Sequence, residues 1–251
     1  MIHQLESTPR TVIALATDYE DGTYLPPHSH QRSQFLYSMQ GMMDVTTSAG
    51  KWLVLPYRGV WIPAGEDHSV TMLNASTRSL YINTEDHMIR GMQCEVVTVS
   101  PLLHSLLLEA VKLPLLYEES GRDGALISLL LHEVRLAKSL PFYTPLPQHP
   151  ALLVLCQTFI QAPTIASSPH DWAQQMNRSL RTFSRFFQAE LGMTFGEWRQ
   201  HVVLMSALMM LGKNLPITTI ALTLGYESPS AFSAMFKKAL GRSPSEFMKS
   251  A

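Results

Sequence analysis

The strongest constraint in the sequence is a short pattern that the C-terminal part of the chain contains twice. Residues 176–195 read MNRSLRTFSRFFQAELGMTF, and residues 224–244 read LGYESPSAFSAMFKKALGRSP. The positions that match at an offset of 49 are Ser179/Ser228, Phe183/Phe232, Ser184/Ser233, Phe187/Phe236, Leu191/Leu240 and Gly192/Gly241. Since residues four apart share a helix face and glycine commonly ends a helix, the repeat predicts one small helical unit built twice.

Each copy predicts two helices joined by a tight turn. Asn177 follows Ala173 by four residues, and Gly225 follows Ala221 by four residues. A small alanine lets two helices cross closely. A helix that ends in a tight turn needs a residue that tolerates left-handed backbone angles, and Gly tolerates them best and Asn next. We therefore predict Asn177 and Gly225 as structural turn residues.

The second helix of each copy has an apolar face of Phe and Leu and an outer face of polar and basic side chains. An α-helix fits the DNA major groove, where Arg pairs with guanine and Gln with adenine, while Ser and Lys hold phosphates. Two solvated amphipathic helices are the alternative, but that reading does not explain why the unit recurs. The predicted DNA-binding residues are Ser179, Arg181, Thr182, Ser184, Arg185, Gln188, Ser228, Ser230, Ser233, Lys237 and Lys238.

Charge is divided unevenly along the 251 residues, whose formal net charge is −1. Residues 1–149 contain ten Lys/Arg and fifteen Asp/Glu, whereas residues 150–251 contain nine Lys/Arg and five Asp/Glu. A basic C-terminal part behind an acidic N-terminal part indicates contact with nucleic acid. The charge supports the prediction that the repeat makes, and alone it would also fit a solvated surface.

Composition divides the chain into four segments. Residues 1–98 contain short β-branched or alternating runs between turn residues, which predicts a sandwich or barrel. Among these runs, QFLYSMQG and MMDVTTSAG are predicted as separate strands, and so are HSVTMLN and RSLYINT. Residues 99–140 are predicted as a helical linker, and residues 141–150 as a proline-rich interdomain linker. Residues 151–251 are predicted to be all helical.

The leucine-rich helices of residues 99–140 have two interpretations that the pattern does not separate. Their apolar stripes are broader than a surface helix needs. The stripes either pack against the β domain or also form the seam of a homodimer. We carry both interpretations forward and predict a homodimer.

The N-terminal sequence has no basic stretch followed by an apolar one, so we expect no signal peptide. No apolar run approaches the ~20 residues that span a bilayer, so we expect no membrane contact. Cys94 and Cys156 have no metal or redox spacing and are predicted as buried thiols of a cytoplasmic protein.

The repeat resembles the AraC/XylS family of bacterial transcription regulators. Residues 150–248 carry the resemblance, through LRTFSRFFQAELGMTFGEWRQ and IALTLGYESPSAFSAMFKKALGRSPSEF. The resemblance implies a seven-helix DNA-binding domain with two helix-turn-helix units and a central helix. Two positions depart from the family pattern. Val203-Leu204 stand where an Arg-Leu pair is usual, and Asn177 stands where Gly is usual.

The N-terminal part resembles the two motifs of the cupin fold, a small β-barrel. HSHQRSQFLYSMQG supplies His28, His30, Gln34 and Gly41, and GVWIPAGEDHSV supplies Pro63, Gly65 and His68. Residues i and i+2 of a strand point the same way, so we expect His28 and His30 to face inward together. His28, His30, Gln34 and His68 are the predicted effector or metal residues, with a divalent Fe, Mn, Ni or Zn ion as the possible cofactor. Gln34 stands where enzymatic cupins usually carry Glu.

The expected fold is therefore α+β, with a cupin- or jelly-roll-like barrel, a helical linker and an all-α domain with two helix-turn-helix units. We expect a sequence-specific transcriptional regulator controlled by a small-molecule effector, which contacts RNA polymerase if it is an activator. We expect no enzymatic activity, since no catalytic triad, phosphate loop or nucleotide fingerprint is present. The alternatives are a cupin metalloenzyme fused to a DNA-binding domain and a ligand-independent DNA-bending protein.

Overall fold

The computed structural model describes residues 8–83 and 89–249. The chain divides into two compact units, and the boundary between them in the sequence lies between Tyr143 and Thr144. This division falls inside the proline-rich segment 141–150. It places the helices of residues 99–140 in the same unit as the β-strands.

The first unit consists of antiparallel strands followed by two helices. The strands are β1 (Val12–Asp18), β2 (Tyr24–His28), β3 (Ser33–Thr46), β4 (Gly50–Val54), β5 (Arg58–Ile62), β6 (His68–Ile82), β7 (Glu95–Thr98) and β8 (Ser139–Leu140). The helices between β7 and β8 are α1 (Pro101–Ala110) and α2 (Arg122–Leu136). A last short strand, β9 (Tyr143–Pro145), crosses the division between the units.

The long strands β3 and β6 pair with each other along most of their length and belong to both halves of the sheet. In one half, the end of β6 pairs with β1, and the start of β3 pairs with β5, which continues to β7 and β8. In the other half, the start of β6 pairs with β2, and the end of β3 pairs with β4. All these pairs are antiparallel, so the sheet folds over itself through two shared strands.

The prediction of separate strands within β3 and within β6 is wrong, because each pair of runs forms one bent strand. Gly41 and Asn74 adopt left-handed angles, with φ of 70° and 50°. The β3–β6 pairing shifts register near Gly41. A Cβ atom on Gly41 would lie 2.2 Å from the Asn74 carbonyl oxygen, so only glycine fits this bend. Thr84, the last residue of the run RSLYINT, lies outside the described residues.

Two apolar clusters hold the first unit together. One lies between the two halves of the sheet and includes Met43, Trp52 and Met72, each at most 3% exposed. The other covers the opposite face of the first half, where Phe35 and Trp61 of the sheet cluster with residues of α1 and α2. The buried stripes of both helices therefore lie against the β domain, as one of the two interpretations of these helices expects.

The second unit is helical. Its helices are α3 (Pro150–Gln161), α4 (Pro169–Gln175), α5 (Leu180–Leu191), α6 (Phe195–Gly212), α7 (Ile217–Thr223), α8 (Pro229–Leu240) and α9 (Pro244–Lys249). The predicted α+β class, with an antiparallel sheet domain before a helical domain that contains helix-turn-helix units, is confirmed. Within the described residues, no helix is both long enough and apolar enough to span a bilayer.

Helices α4–α5 and α7–α8 form the two repeated units, which we call the first and second helix-turn-helix units. Phe183 and Phe187 of α5 are fully buried, and so are Phe232 and Phe236 of α8. Burying an aromatic side chain removes a large apolar area from water, so these four rings contribute strongly to the stability of the repeated units.

Candidate nucleic-acid interface and histidine cluster

The turns of the two helix-turn-helix units close in the same way. The φ angle is 52° at Asn177 and 79° at Gly225, so both residues are left-handed. The next amide in each copy donates a 2.9 Å hydrogen bond back to the carbonyl of Ala173 or Ala221. This bond satisfies a carbonyl that the end of the helix leaves without a partner. Both alanines are at most 1% exposed, as the close crossing of two helices requires.

Several predicted DNA-binding hydroxyls make local hydrogen bonds in the structure. Ser179 and Ser228 are the N-caps of α5 and α8, and their hydroxyls accept from the amides of Thr182 and Ala231 at 3.2 and 3.1 Å. Ser184 donates to the Leu180 carbonyl at 2.9 Å. These hydroxyls therefore hold the helix starts and the helix backbone. The Thr182 hydroxyl lies 2.8 Å from that of Ser179.

The outer face of α5 presents three long polar side chains. Arg181, Arg185 and Gln188 are exposed. In the part of the chain that the structure describes, neither arginine forms an ion pair with an acidic side chain. Two guanidinium groups and one carboxamide thus project from the exposed face of a helix whose opposite face is buried. Their hydrogen-bonding groups are available to a ligand.

Arg178 extends this basic surface, although the sequence analysis did not single it out. Arg178, Arg181, Thr182, Arg185 and Phe186 line an open concavity of about 350 Å³. The Arg178 guanidinium carbon lies 3.9 Å from the centre of the Phe186 ring, a cation–π contact that orients the side chain. Its position, directly before the N-cap of the predicted helix, is the signal that could have identified it.

The outer face of α8 differs in chemistry. Ser230, Lys237 and Lys238 are exposed, whereas Ser233 is half-buried. Both lysines lie in the last turn of α8. An ammonium group is a point charge without the fork that pairs with guanine, so this surface suits phosphates better than base edges.

The side chain of Glu190 ties helix α5 to the start of α3. The Glu190 carboxylate accepts from the amides of Gln148 and His149, each at 3.1 Å, at the start of α3. Val203 and Leu204, which depart from the Arg-Leu pair of the family pattern, are both buried in α6. This pair therefore contributes to packing of the central helix.

In the first unit, the predicted residues His28, His30, Gln34 and His68 lie close together at one end of the sheet. Three of them are in strands, and His30 is in a loop. His28 ends β2 and lies opposite His68 at the start of β6. His30 lies beyond the end of β2, in a loop, so the expectation that it shares a strand face with His28 is wrong. The amide of Gly65 donates a 2.9 Å bond to the His30 carbonyl and holds this loop.

The three imidazole rings are oriented in the same way, by contacts between Nδ1 and a backbone carbonyl. The Nδ1 atoms of His28, His30 and His68 lie 2.8, 2.7 and 2.8 Å from backbone carbonyls two residues away in sequence. A carbonyl only accepts, so each Nδ1 carries a proton, and in the neutral form of each ring the lone pair is then on Nε2. One ring nitrogen from each histidine lies within 4.8 Å of the others.

Burial changes the pKa of two groups at this site. Burial lowers the pKa of His68 to about 4, and its Nε2 has no hydrogen-bond partner among the described residues. The Gln34 amide nitrogen donates to the Tyr81 hydroxyl at 3.2 Å, and the Gln34 amide oxygen lies 3.2 Å from His30 Nε2. Because that oxygen only accepts, a neutral His30 with its proton on Nδ1 faces it without a hydrogen bond. Burial raises the pKa of Tyr81 to about 12, so this hydroxyl stays protonated. Three imidazoles oriented by carbonyls are a donor set that fits a transition metal.

Some known proteins match only the C-terminal part of the chain, and others match most of its length. Residues 172–250 match a family model described as a helix-turn-helix domain. The chain is 28% identical over 224 residues to the HTH-type transcriptional regulator NimR of Escherichia coli (strain K12), covering 89% of this chain and 82% of NimR. It is 34% identical over 76 residues to the arabinose operon regulatory protein of the same strain, covering 30% of this chain and 26% of that protein.

Solved structures are similar along most of the chain. A crystal structure of apo ToxT K231A from Vibrio cholerae strain SCE256 is 14% identical, with a TM-score of 0.38. The similarity covers 96% of this chain and 98% of that chain.

Proposed function

The chain carries an AraC-type helix-turn-helix domain and belongs with the AraC-family transcriptional regulators, and on this premise we propose that it reads specific DNA sequences chiefly through its first helix-turn-helix unit. The chain is a DNA-binding regulator. The two units share turns, caps and buried phenylalanines, but Arg181, Arg185 and Gln188 of α5 have no counterparts of like chemistry on α8.

The outer face of α5 supports base recognition. Each bidentate pair of an arginine with guanine or a glutamine with adenine discriminates against a wrong base by about 1–3 kcal/mol. Since Arg181, Arg185 and Gln188 lie at spacings of four and three residues, they share one helix face. We assign this face to a major groove, and we assign Lys237 and Lys238 of α8 to phosphates one helical turn away.

Genomic binding provides the test. The purified full chain is mixed with sheared genomic DNA of its source organism, and the retained fragments are sequenced. The proposal predicts a small set of enriched sites in front of genes, whose identity also indicates the regulated pathway. Retention of all fragments in proportion to their abundance would contradict sequence-specific binding.

We further propose that the regulator acts as a homodimer through the outer face of α2. Ala125, Leu129, His132 and Leu136 are exposed at spacings of four, three and four residues, which is typical of a coiled-coil seam. Leu129 is 43% exposed and Leu136 is 73% exposed. Leu129 and Leu136 thus form an apolar seam on α2 that a second copy of the chain can cover.

Sedimentation of the full chain tests the seam. Leu129→Lys combined with Leu136→Lys is expected to give a monomer, because each lysine would place a charge in an apolar interface. Ser128→Lys, on the same helix, is the matched control and is expected to leave the dimer intact. A double variant that sediments like the original chain would contradict this interface.

We propose effector control as the role of the first unit. A small molecule that binds better to one arrangement of α1 and α2 shifts the population of the regulator toward that arrangement, and so changes how two DNA-binding domains reach their sites. A cytoplasmic location and, for an activator, contact with RNA polymerase belong to the same proposal.

The histidine cluster supports a bound divalent transition metal as an additional proposal. Its carbonyl-oriented Nε2 atoms favour ions such as Zn²⁺, Ni²⁺ or Fe²⁺ over Mg²⁺ and Ca²⁺, which prefer oxygen ligands. Elemental analysis of the purified chain is expected to find about one metal ion per chain, and His68→Ala is expected to lose it. Purified protein with no transition metal, and none gained on dialysis against Zn²⁺, would contradict the proposal.

The second candidate function is a cupin metalloenzyme fused to a DNA-binding domain, and the converging histidines are the observation that favours it. Such an enzyme would turn over small organic substrates when supplied with Fe(II) and oxygen. The first candidate predicts no oxygen consumption above a His68→Ala control.

A further inference from the structure

A cavity outside the sheet interior lies between strand β1, the end of α1 and helix α2. Its volume is about 200 Å³. Its walls include Ile13 and Ala14 of β1, Ala110 of α1, Leu113 of the following loop and Ile127 of α2. No charged side chain is among the described residues that line it. The cavity is partly open to solvent, and a charged ligand would lose part of its hydration here without gaining an opposite charge, so the walls favour an uncharged molecule.

The size of the cavity limits its occupant. An apolar cavity of about 150 Å³ holds benzene, whereas drug-sized ligands need about 300 Å³ or more. A cavity of about 200 Å³ therefore fits a single ring with a small substituent.

The polar groups of the cavity include the backbone of an edge strand and the hydroxyl of Tyr117, which also lines it. Among the described strands, β1 pairs with β6 alone. The Val12 amide points away from β6, because it donates to the Tyr117 hydroxyl at 3.5 Å. In an antiparallel pair, the residues whose N–H and C=O groups point outward alternate, so the groups of Ala14 point the same way as those of Val12. Ala14 therefore offers one donor and one acceptor to the cavity.

We infer that this cavity is a binding site for an uncharged, single-ring molecule with an amide-like donor–acceptor pair. The ring occupies the space among Leu113, Ala110 and Ile127, and the amide-like group pairs with the Ala14 backbone as a neighbouring strand would. The inference rests on the proposed effector control, for which it names a site and a ligand class. It places the effector away from the histidine cluster and from the apolar cluster that contains Met43, Trp52 and Met72.

The location also connects a ligand to the proposed dimer seam. The cavity touches the end of α1 through Ala110 and touches α2 through Ile127, which is on the buried side of the helix that carries Leu129 outward. A molecule that fills the cavity therefore contacts the sheet and both helices at once.

The test is a titration of the full chain with benzamide, followed by ¹H–¹³C spectra of labelled Ile, Leu, Val and Ala methyl groups. We expect saturable shifts of the Ile13, Leu113 and Ile127 methyls, with no shift of Val45 and Val70 in the sheet interior. Benzoate and benzamidinium, which have the same ring but carry charges, are expected to bind at least tenfold more weakly. Equal affinity for the three probes, or shifts confined to Val45 and Val70, would overturn the inference.

A matched pair of variants locates the site. Ala14→Phe fills the cavity and is expected to weaken benzamide binding at least tenfold. Ala16→Phe makes the same change two residues along β1, at an exposed position outside the cavity lining, and is expected to change the dissociation constant less than twofold. If Ala14→Phe does not fold, Ala14→Leu carries the same expectation. Undiminished binding to a folded Ala14 variant would overturn the inference.

DNA binding measured without any probe separates this inference from the proposed function. Benzamide binding at the predicted methyls by a chain that binds no DNA would support the site and refute the regulator. Specific DNA binding by a chain that shows no saturable methyl shift with benzamide would refute the site and leave the regulator standing.

Discussion

The first and second helix-turn-helix units have the same scaffold and different surfaces. Both place a left-handed residue at the turn and an N-cap serine before the second helix, and both bury two phenylalanines four residues apart. Their outer faces diverge, with arginines and a glutamine on α5 and serine and lysines on α8. Residues that set the backbone and the core are shared because the fold requires them. Residues that face outward are free to differ, and their difference supports our proposal that the first unit recognises bases.

The largest expected difference between the units concerns their cores. The Phe187 ring lies within 6.3 Å of four other aromatic rings, Phe183, Phe195, Trp172 and Trp198. Among the described residues, the Phe236 ring has two such neighbours, Phe232 and Phe247, each at 5.8 Å.

Replacing a buried phenylalanine with alanine costs about 3–5 kcal/mol, and we expect Phe187→Ala at the upper end of this range and Phe236→Ala at the lower end. Hydrogen exchange of α5 and α8 peptides measures each unit separately. A variant that leaves the protection of its own unit unchanged would show that the ring is not part of the core.

The turns provide a smaller contrast. At Gly225, a Cβ atom would lie 2.2 Å from the Thr164 hydroxyl, in addition to the left-handed strain. We expect Gly225→Ala to destabilise the second unit by about 2 kcal/mol or more, and Asn177→Ala to cost about 1 kcal/mol. Asn177→Gly is the matched control and should be nearly neutral. Equal losses for both alanine variants, measured by the same exchange experiment, would remove this distinction between the turns.

Arg181 tests the assignment of base recognition. Arg181→Ala is expected to cost about 1–3 kcal/mol on a selected site and to relax the preference at one or two base pairs. Arg181→Lys keeps the charge but loses the fork, so it should also relax the preference. Binding to the selected site and to single-base variants of it is measured by fluorescence anisotropy. Equal weakening on all sequences would show that Arg181 contacts the backbone only.

Lys237 is expected to give the smallest effect. Lys237→Ala should weaken binding to all sequences alike and lower the slope of log affinity against log salt by about 0.9, the value for one phosphate contact. A change in preference at a single base pair would mean that the second unit also reads bases.

The sequence predicts the helical domain better than the sheet domain because its structure depends on local contacts. Turn residues, N-caps and phenylalanine spacing act within a few residues of one another, so a repeat in the sequence reveals them. The bend at Gly41 depends on its approach to Asn74, which is distant in sequence. The position of His30 likewise depends on the Gly65 amide, and the cavity beside Ala14 depends on the packing of three elements. Periodicity along the chain carries no signal for such contacts.

The most direct test of the account is selection of DNA by the purified full chain from a random double-stranded library, with sequencing of each round. The account predicts an enriched motif with one sharply defined segment, read by α5, and one weakly defined segment about a helical turn away. A library that shows no enrichment after repeated rounds, from protein whose hydrogen exchange shows both units folded, would contradict it.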